Sequence, residues 1–150
     1  MRIPVEKLRS FMVSAAAALP LDQSSAEIMV DNLVTANLWG INSHGVGRYP
    51  NYMRRLKKDL VNRTPNIKIN KTLPALLSVD GDNGLGSVVT LKAMDEVLKL
   101  TDTFGMAGAA IRSSNHAGAL GYYCNIAAKK GYISMFFTVG PANMPPFGGM

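Results

Sequence analysis

Three short apolar runs, separated by segments with helical spacing, constrain the fold of this chain more than any other feature. The runs are ALLSVD (residues 75–80), MAGAAI (residues 106–111) and YISMFFTV (residues 132–139), each with the length and composition of a buried strand. Apolar side chains recur at helical intervals between residues 85 and 98 and again between residues 118 and 130. Strand–helix–strand–helix–strand is typical of neighbouring parallel strands, so we predict an α/β fold.

The preceding part of the chain is predicted to be helical. Pro4 and Pro20 delimit a first helix, and the capping-box sequence Ser24–Glu27 begins a second helix that Gly40 ends. A third helix is expected to begin just after His44 and to run to about residue 60.

Together these patterns predict two parts of the molecule. Residues 1–72 form a helical N-terminal part, and residues 73–150 form the start of an α/β domain. Three parallel strands bury little apolar surface on both faces and leave an open edge. We therefore expect an incomplete, truncated sheet that belongs to a longer protein.

The formal net charge of +6 is concentrated in one stretch of the chain. A single acid, Asp59, lies there among the bases Arg48, Arg54, Arg55, Lys57, Lys58, Arg63, Lys68 and Lys71. Such a stretch can be a solvated helix face, an attractor for small anions or a nucleic-acid surface. The sequence has no helix-turn-helix, zinc-finger or RNA-recognition motif, so we do not expect nucleic-acid binding.

The compartment is suggested by the cysteine content and by the N-terminus. Cys124 is the only cysteine, which excludes an internal disulfide and fits a reducing compartment. No apolar run is long enough to span a membrane. The first segment contains Glu6 and an amphipathic stripe, which favours a docked helix over a secretory leader. We therefore expect a cytoplasmic protein that does not insert into membranes.

The sequence NSHGVGR (residues 42–48) holds one of only two histidines in the chain. On a helix that begins here, His44, Arg48 and Tyr52 share one face, because they are spaced four residues apart. An imidazole transfers protons near neutral pH, and a guanidinium binds a carboxylate through two hydrogen bonds. With Ser43 orienting the imidazole, this face suits a small 2-oxo or 2-hydroxy acid. The alternative is a solvent-exposed His44 at a helix start, next to a surface arginine.

The second histidine, His116, lies in SSNHAGALGYY, between the second predicted strand and the next helix. The carboxyl ends of strands in α/β sheets form the usual ligand crevice, and small residues at a helix start expose backbone N–H groups to an anion or cofactor. By position alone, a His116 that caps its own helix fits equally well. Both histidines lie in small-residue turns between elements, which favours a functional site.

The glycine-rich stretch GDNGLG (residues 81–86) does not predict a Rossmann fold. Its glycines follow the order G-x-x-G-x-G instead of G-x-G-x-x-G, and no acidic residue follows the second strand to hold a ribose. The predicted role is a tight turn that leads into the next helix.

Four motifs together resemble the malate/L-lactate dehydrogenase family of the non-Rossmann type, which includes ureidoglycolate dehydrogenases, diketogulonate reductases and piperideine-2-carboxylate reductases. They are GINSHGVGRYPNYMRRL, VDGDNGLG, SSNHAGALGYY and PPFGG, in the family's order and at its spacing along nearly the whole chain. The pairing of SHGVGR with a downstream NHxG is the specific part of this resemblance.

The resemblance implies an NAD(P)-dependent oxidoreductase that interconverts small 2-hydroxy and 2-oxo acids. It implies an incomplete three-layer α/β/α sheet of the non-Rossmann dehydrogenase fold, with residues 73–150 as the start of the cofactor-binding domain, and a homodimer. No metal ligands are implied, and the cofactor is NAD or NADP.

The resemblance also implies roles for individual residues. His44 is the acid/base residue with Ser43 as its orienting partner, Arg48 and Tyr52 bind the substrate, and His116 is a cofactor contact or a second acid/base residue. Further cofactor contacts are implied at Ala117, Gly118, Ala119, Leu120 and Gly140.

Some features depart from the family pattern. Family chains are much longer, which puts much of the cofactor and substrate surface outside these residues. Val139 and Gly140 stand where members often carry small hydroxyl or amide residues, and NHAG replaces the commoner NHFG. The alternative function is therefore a non-catalytic fragment or interaction domain whose basic third helix binds anionic partners.

Overall fold

A computed structural model describes residues 3–140 of the chain. The helices in this range are α1 (Val5–Ala16), α2 (Gln23–Leu38), α3 (Tyr49–Lys57), α4 (Gly86–Phe104) and α5 (Gly121–Lys129). The strands are β1 (Lys68–Leu73), β2 (Leu76–Gly84) and β3 (Gly108–Ser114). Two short 3₁₀ turns, Asn42–His44 and Val46–Arg48, connect α2 to α3. The PPFGG motif lies outside the described residues.

The three strands form one mixed sheet in the order β1-β2-β3. β2 and β3 are parallel and are joined by α4, so their carboxyl ends lie at the same edge of the sheet. β1 runs antiparallel to β2, with Ile69 opposite Val79. The predicted α/β class is thus confirmed, and within residues 3–140 the helix α4 packs against β2 and β3.

The strands differ from the predictions in three ways. The strand predicted to be buried at residues 106–111 corresponds to β3, whose side chains are mostly exposed among the described residues. β1 was not predicted, and it crosses the predicted boundary between residues 72 and 73. The predicted strand at residues 132–139 pairs with no other strand among the described residues. Its side chains do alternate, because Tyr132 and Phe136 pack on Tyr123 and its neighbours while Ile133 is fully exposed. The period of a strand is therefore present, but a strand also needs a neighbouring edge to which its backbone can bond.

The start of α2 also differs from the prediction. The helix begins at Gln23, and its N-cap is Asp22, whose carboxylate accepts a hydrogen bond from the Ser25 N–H at 2.9 Å. Ser24 donates to the same carboxylate instead of closing a capping box with Glu27. Asp is as good a cap as Ser, because either side chain supplies the oxygen that the first amides need.

Helix α2 lies at the centre of the helical part. Its residues Met29, Val30 and Leu33 are almost completely buried and pack in one cluster with Tyr52 and Leu56 of α3. The same helix also contacts α4, α5 and both 3₁₀ turns. It therefore connects the helical part to the sheet and to the turns that carry the histidines. No helix within residues 3–140 is long and apolar enough to cross a membrane.

Candidate functional site

The turn that carries His44 is not the helix start that we predicted. His44 ends the first 3₁₀ turn, Arg48 ends the second, and α3 begins only at Tyr49. No continuous helix joins His44 to Arg48, because Gly45, between the two turns, has an extended backbone with φ −91° and ψ −158°. The Arg48 Nε donates to the Ser43 carbonyl oxygen at 2.7 Å, and the Ser43 Oγ lies 2.9 Å from the His44 Nδ1. The turns therefore fix both side chains without a helix.

The second histidine meets the first one in space. The imidazole of His116, in the loop between β3 and α5, stacks on that of His44 with ring centroids 5.4 Å apart. The Tyr52 hydroxyl lies 2.6 Å from the His116 Nδ1, and the Gly118 N–H donates to the same nitrogen at 3.2 Å. The structure thus brings together the side chains that the sequence predicted for substrate binding and proton transfer.

These contacts determine where His116 carries its proton. Burial raises the pKa of Tyr52 to about 12, with Arg48 acting in the opposite direction, so the phenol stays protonated and donates. Because Nδ1 accepts from Tyr52 and from Gly118, the neutral imidazole carries its proton on Nε2. A second proton on Nδ1 would face the fixed Gly118 N–H.

The surroundings of His116 also favour its neutral form over the protonated form. Partial burial, together with the charges of His44 and Arg48, lowers the pKa of His116 below its ordinary value of 6.5. The residue as a whole remains solvent-exposed, and the protein encloses it on the Nδ1 side, where Tyr52 and Gly118 lie. His116 is therefore neutral at physiological pH.

A cleft of about 270 Å³ adjoins the stacked pair. Its lining residues are Arg48, Asn51, Tyr52, Arg55, Val61, Leu85, Asn115 and His116. The cleft thus has two guanidinium groups and no carboxylate among the described residues that line it. This composition favours a small anion over a cation.

Five lining residues were not predicted as site residues, and two of them, Arg55 and Asn115, are bonded to each other. Arg55 donates to the Asn115 Oδ1 at 3.0 Å, so the helix α3 and the loop after β3 are joined across the cleft. The signal for Arg55 was present, since it lies three residues after Tyr52 and on the same helical face. Asn115 is the first residue of the NHxG motif, which was recognised, but no role was predicted for it.

The residues predicted to contact a cofactor differ in their surroundings. Gly118 and Ala119 are buried, and their amides are already bonded to the His116 Nδ1 and the Asn32 Oδ1. At the start of α5, the amides of Leu120 and Gly121 have no acceptor within residues 3–140. Gly140 is exposed, and nothing lies within 4 Å of the position that a Cβ would take there.

The basic stretch is divided among different surroundings. Arg48 and Arg55 line the cleft, Arg63 pairs with Asp59, and the Lys71 ammonium lies 5.2 Å from the centroid of the Phe104 ring. The remaining bases of this part of α3 are exposed at Arg54, Lys57 and Lys58. Part of the positive charge is therefore directed at the cleft.

Comparison with known proteins shows which protein family this chain resembles. Residues 3–150 match a family whose description is malate/L-lactate dehydrogenase. The L-sulfolactate dehydrogenase of Methanocaldococcus jannaschii is 38% identical over 144 residues, which is 96% of this chain and 42% of that protein. The malate dehydrogenase of Pyrococcus abyssi is 38% identical over 149 residues, or 99% of this chain and 41% of that protein. The chain therefore spans less than half the length of these curated relatives.

Solved structures agree with the sequence comparison. The malate dehydrogenase from Pyrococcus horikoshii superposes with a TM-score of 0.84 at 37% identity, over 87% of this chain and 38% of that one. A dehydrogenase from Sinorhizobium meliloti gives a TM-score of 0.83 at 38% identity, over 87% of this chain and 41% of that one.

Proposed function

Because the chain belongs to the malate/L-lactate dehydrogenase family, we propose that the protein is an NAD(P)-dependent oxidoreductase that interconverts small 2-hydroxy and 2-oxo acids. The family membership that four motifs predicted is confirmed. The observation that carries the proposal is that Arg48, Tyr52 and His116 line one cleft and that the ring of His44 stacks on that of His116 beside it. Relatives named for malate and sulfolactate support the class of substrate.

Arg48 is proposed to hold the substrate carboxylate. Its Nε is occupied by the Ser43 carbonyl oxygen, which leaves the two terminal nitrogens for a paired interaction. No carboxylate within residues 3–140 forms an ion pair with this guanidinium. The apolar side chains of Val61 and Leu85 line the same cleft and suit the carbon skeleton of a small acid.

His44 is proposed to move the proton. Ser43 occupies the Nδ1 side of the ring, so Nε2 is left for the substrate oxygen. During reduction of a 2-oxo acid, the protonated ring gives a proton to the carbonyl oxygen, and during oxidation the neutral ring takes it from the hydroxyl. His116, neutral with its proton on Nε2, donates a hydrogen bond to the same region and is a second candidate for proton transfer.

The chain also carries groups that fit part of a dinucleotide. The free amides of Leu120 and Gly121 at the start of α5 suit a phosphate and follow directly on the proposed contacts Ala117 to Ala119. When it is bound, NAD(P) supplies or accepts the hydride. Gly140 is proposed as a further contact with the cofactor.

We further propose that the protein works as a homodimer in the cytoplasm, as the family resemblance implies. Residues 1–72 would carry the His44 and Arg48 site, and residues 73–150 would begin the cofactor-binding domain. Because the chain spans less than half of its relatives, activity is best measured on the natural gene product.

The test measures oxidation of NADH and of NADPH with pyruvate and with the 2-oxo counterparts of malate and sulfolactate. We expect turnover of at least one acid, and a loss of about 10²- to 10⁴-fold in the double variant His44→Ala/His116→Ala. Gln23→Ala, an exposed change on α2, serves as the control. Wild-type rates in the double variant would refute the proposed mechanism.

A further inference from the structure

Both histidine turns are bonded to side chains of helix α2. The Asn37 Oδ1 accepts the Val46 N–H at 2.5 Å, and the Asn37 Nδ2 donates to the Asn42 Oδ1 at 2.7 Å. These two bonds bracket His44 on both sides. One asparagine therefore joins the first 3₁₀ turn, the second 3₁₀ turn and the helix.

A second asparagine of the same helix does the same for the other turn. Asn32 is only 2% exposed, and its Oδ1 accepts the Ala119 N–H at 3.3 Å. Its Nδ2 donates to the Ala117 carbonyl oxygen at 3.5 Å. The bonds bracket Gly118, whose own N–H is directed at the His116 Nδ1. The amide of Asn32 thus fixes the short segment that sets the orientation of His116.

Each turn has a glycine where the asparagine comes close. A Cβ on Gly45 would lie 1.9 Å from the Asn37 Oδ1, and a Cβ on Gly118 would lie 2.0 Å from the Asn32 Oδ1. No side chain could be added at either position without displacing the amide. These contacts explain why a glycine follows His44 directly and another follows His116 after one residue.

We propose that Asn32 and Asn37 are positioning residues that tie the two histidine turns to helix α2 and so hold the imidazoles of His44 and His116 in their stack. The two asparagines are five residues apart on one rigid helix, a rise of about 7.5 Å along its axis. Neither residue lines the cleft. The inference rests on the proposed function only where it connects the stack to proton transfer; the ties themselves are independent of it.

The test uses NMR of the imidazoles of His44 and His116, the two histidines of these 150 residues, in the natural gene product. In the wild type we expect a nuclear Overhauser effect between the rings, an unprotonated Nδ1 on His116 and titration of His116 below 6.5. In Asn37→Ala the ring-to-ring effect is lost, and His116 titrates closer to 6.5 because His44 and Arg48 move away. In Asn32→Ala the ring-to-ring effect also weakens, and the proton of His116 becomes shared between Nδ1 and Nε2.

Three control variants separate positioning from stability. Asn37→Asp keeps an oxygen for the Val46 N–H and should keep the ring-to-ring effect, which rescues the loss in Asn37→Ala. Val30→Ala removes buried apolar volume from the same helix and should leave the histidine signals unchanged in the folded protein. Gln23→Ala should change nothing. If Asn32→Ala does not fold, the comparison of Asn37→Ala with Asn37→Asp still tests the positioning role.

The inference is overturned if both asparagine-to-alanine variants keep the wild-type ring contact and titration, or if Val30→Ala loses them as well. The outcome for the proposed function is separate. Suppose that the histidine signals change in Asn32→Ala and Asn37→Ala as expected, but that the wild-type gene product turns over no 2-oxo acid. This result would refute the proposed function and leave the positioning role intact.

Discussion

The rings of His44 and His116 are nearly parallel, with 23° between their planes and 5.4 Å between their centroids. Two imidazoles at this distance repel each other when both are positively charged, and the charge of His44 contributes to the lowered pKa of His116. The neighbouring Arg48 adds to the same effect on His116. The stack therefore disfavours a positive charge on both rings at once, which suits the proposed exchange of a single proton with a substrate.

The lowered pKa of His116 makes the free energy of unfolding depend on pH. Above the ordinary value of 6.5 the ring is neutral in both states, and its contribution to stability is fully present. Below that value the unfolded chain binds the proton first, so the contribution is lost as the pH falls through the lower folded-state pKa. We expect the urea concentration at the midpoint of unfolding to decrease as the pH is lowered from about 7.5 to about 5. The decrease should be smaller in His116→Gln. Equal decreases in both proteins would contradict the assignment.

Arg48 is expected to act mainly on substrate binding. Arg48→Ala removes two charged hydrogen bonds to a carboxylate, worth about 1.5 to 3 kcal/mol, so KM for the 2-oxo acid should rise about 10- to 100-fold. Arg48→Lys keeps the charge but loses the paired geometry, so its KM should lie between those of the wild type and Arg48→Ala. Steady-state kinetics of the gene product measure this. Arg54→Ala, an exposed change on the following helix α3, should leave KM unchanged. The same rise in both alanine variants would point to general electrostatics.

Tyr52 should affect His116 through one hydrogen bond. Tyr52→Phe removes the hydroxyl on the His116 Nδ1, so we expect kcat/KM to fall about tenfold and stability to fall by about 1 kcal/mol. Tyr49→Phe is a matched control, because its hydroxyl donates to the Met12 carbonyl oxygen at 2.5 Å, away from the histidines. It should cost similar stability and no activity. A comparable loss of activity in both variants would exclude a specific role for Tyr52.

Local patterns predicted the part of the structure that depends on neighbours in sequence. The helices α1, α2, α4 and α5 and the parallel strands β2 and β3 all follow apolar spacing and were found near their predicted positions. β1 was missed because its sequence has little apolar alternation. Ile69 is a half-buried apolar residue among exposed polar neighbours such as Lys68 and Asn70. Its pairing is determined by the edge of β2, which no window of the β1 sequence contains.

The site was predicted in part for the wrong local reason. Spacing by four placed His44, Arg48 and Tyr52 together on a helix, whereas the first two residues lie on two 3₁₀ turns. Arg48 lines the cleft, and His44 stacks on His116 beside it. Glycine-rich surroundings singled out both histidines, and their rings meet in the structure. The stacking of the rings, the proton position on His116 and the ties to Asn32 and Asn37 depend on contacts between distant segments, so no short-range pattern contains them.

Two glycines with the same backbone conformation allow the contact with Asn32 to be isolated. Gly40 and Gly118 have φ values of 76° and 78°, so an alanine at either position costs about 1 to 2 kcal/mol in backbone strain. Nothing lies within 4 Å of a Cβ on Gly40, whereas a Cβ on Gly118 would displace the Asn32 amide and break its buried hydrogen bonds. We therefore expect Gly118→Ala to be less stable than Gly40→Ala by about a further 1 to 3 kcal/mol in urea unfolding. Since the backbone strain is common to both variants, their difference measures the loss of the asparagine contact, and equal stabilities would show that the loop accommodates the new methyl group without moving Asn32.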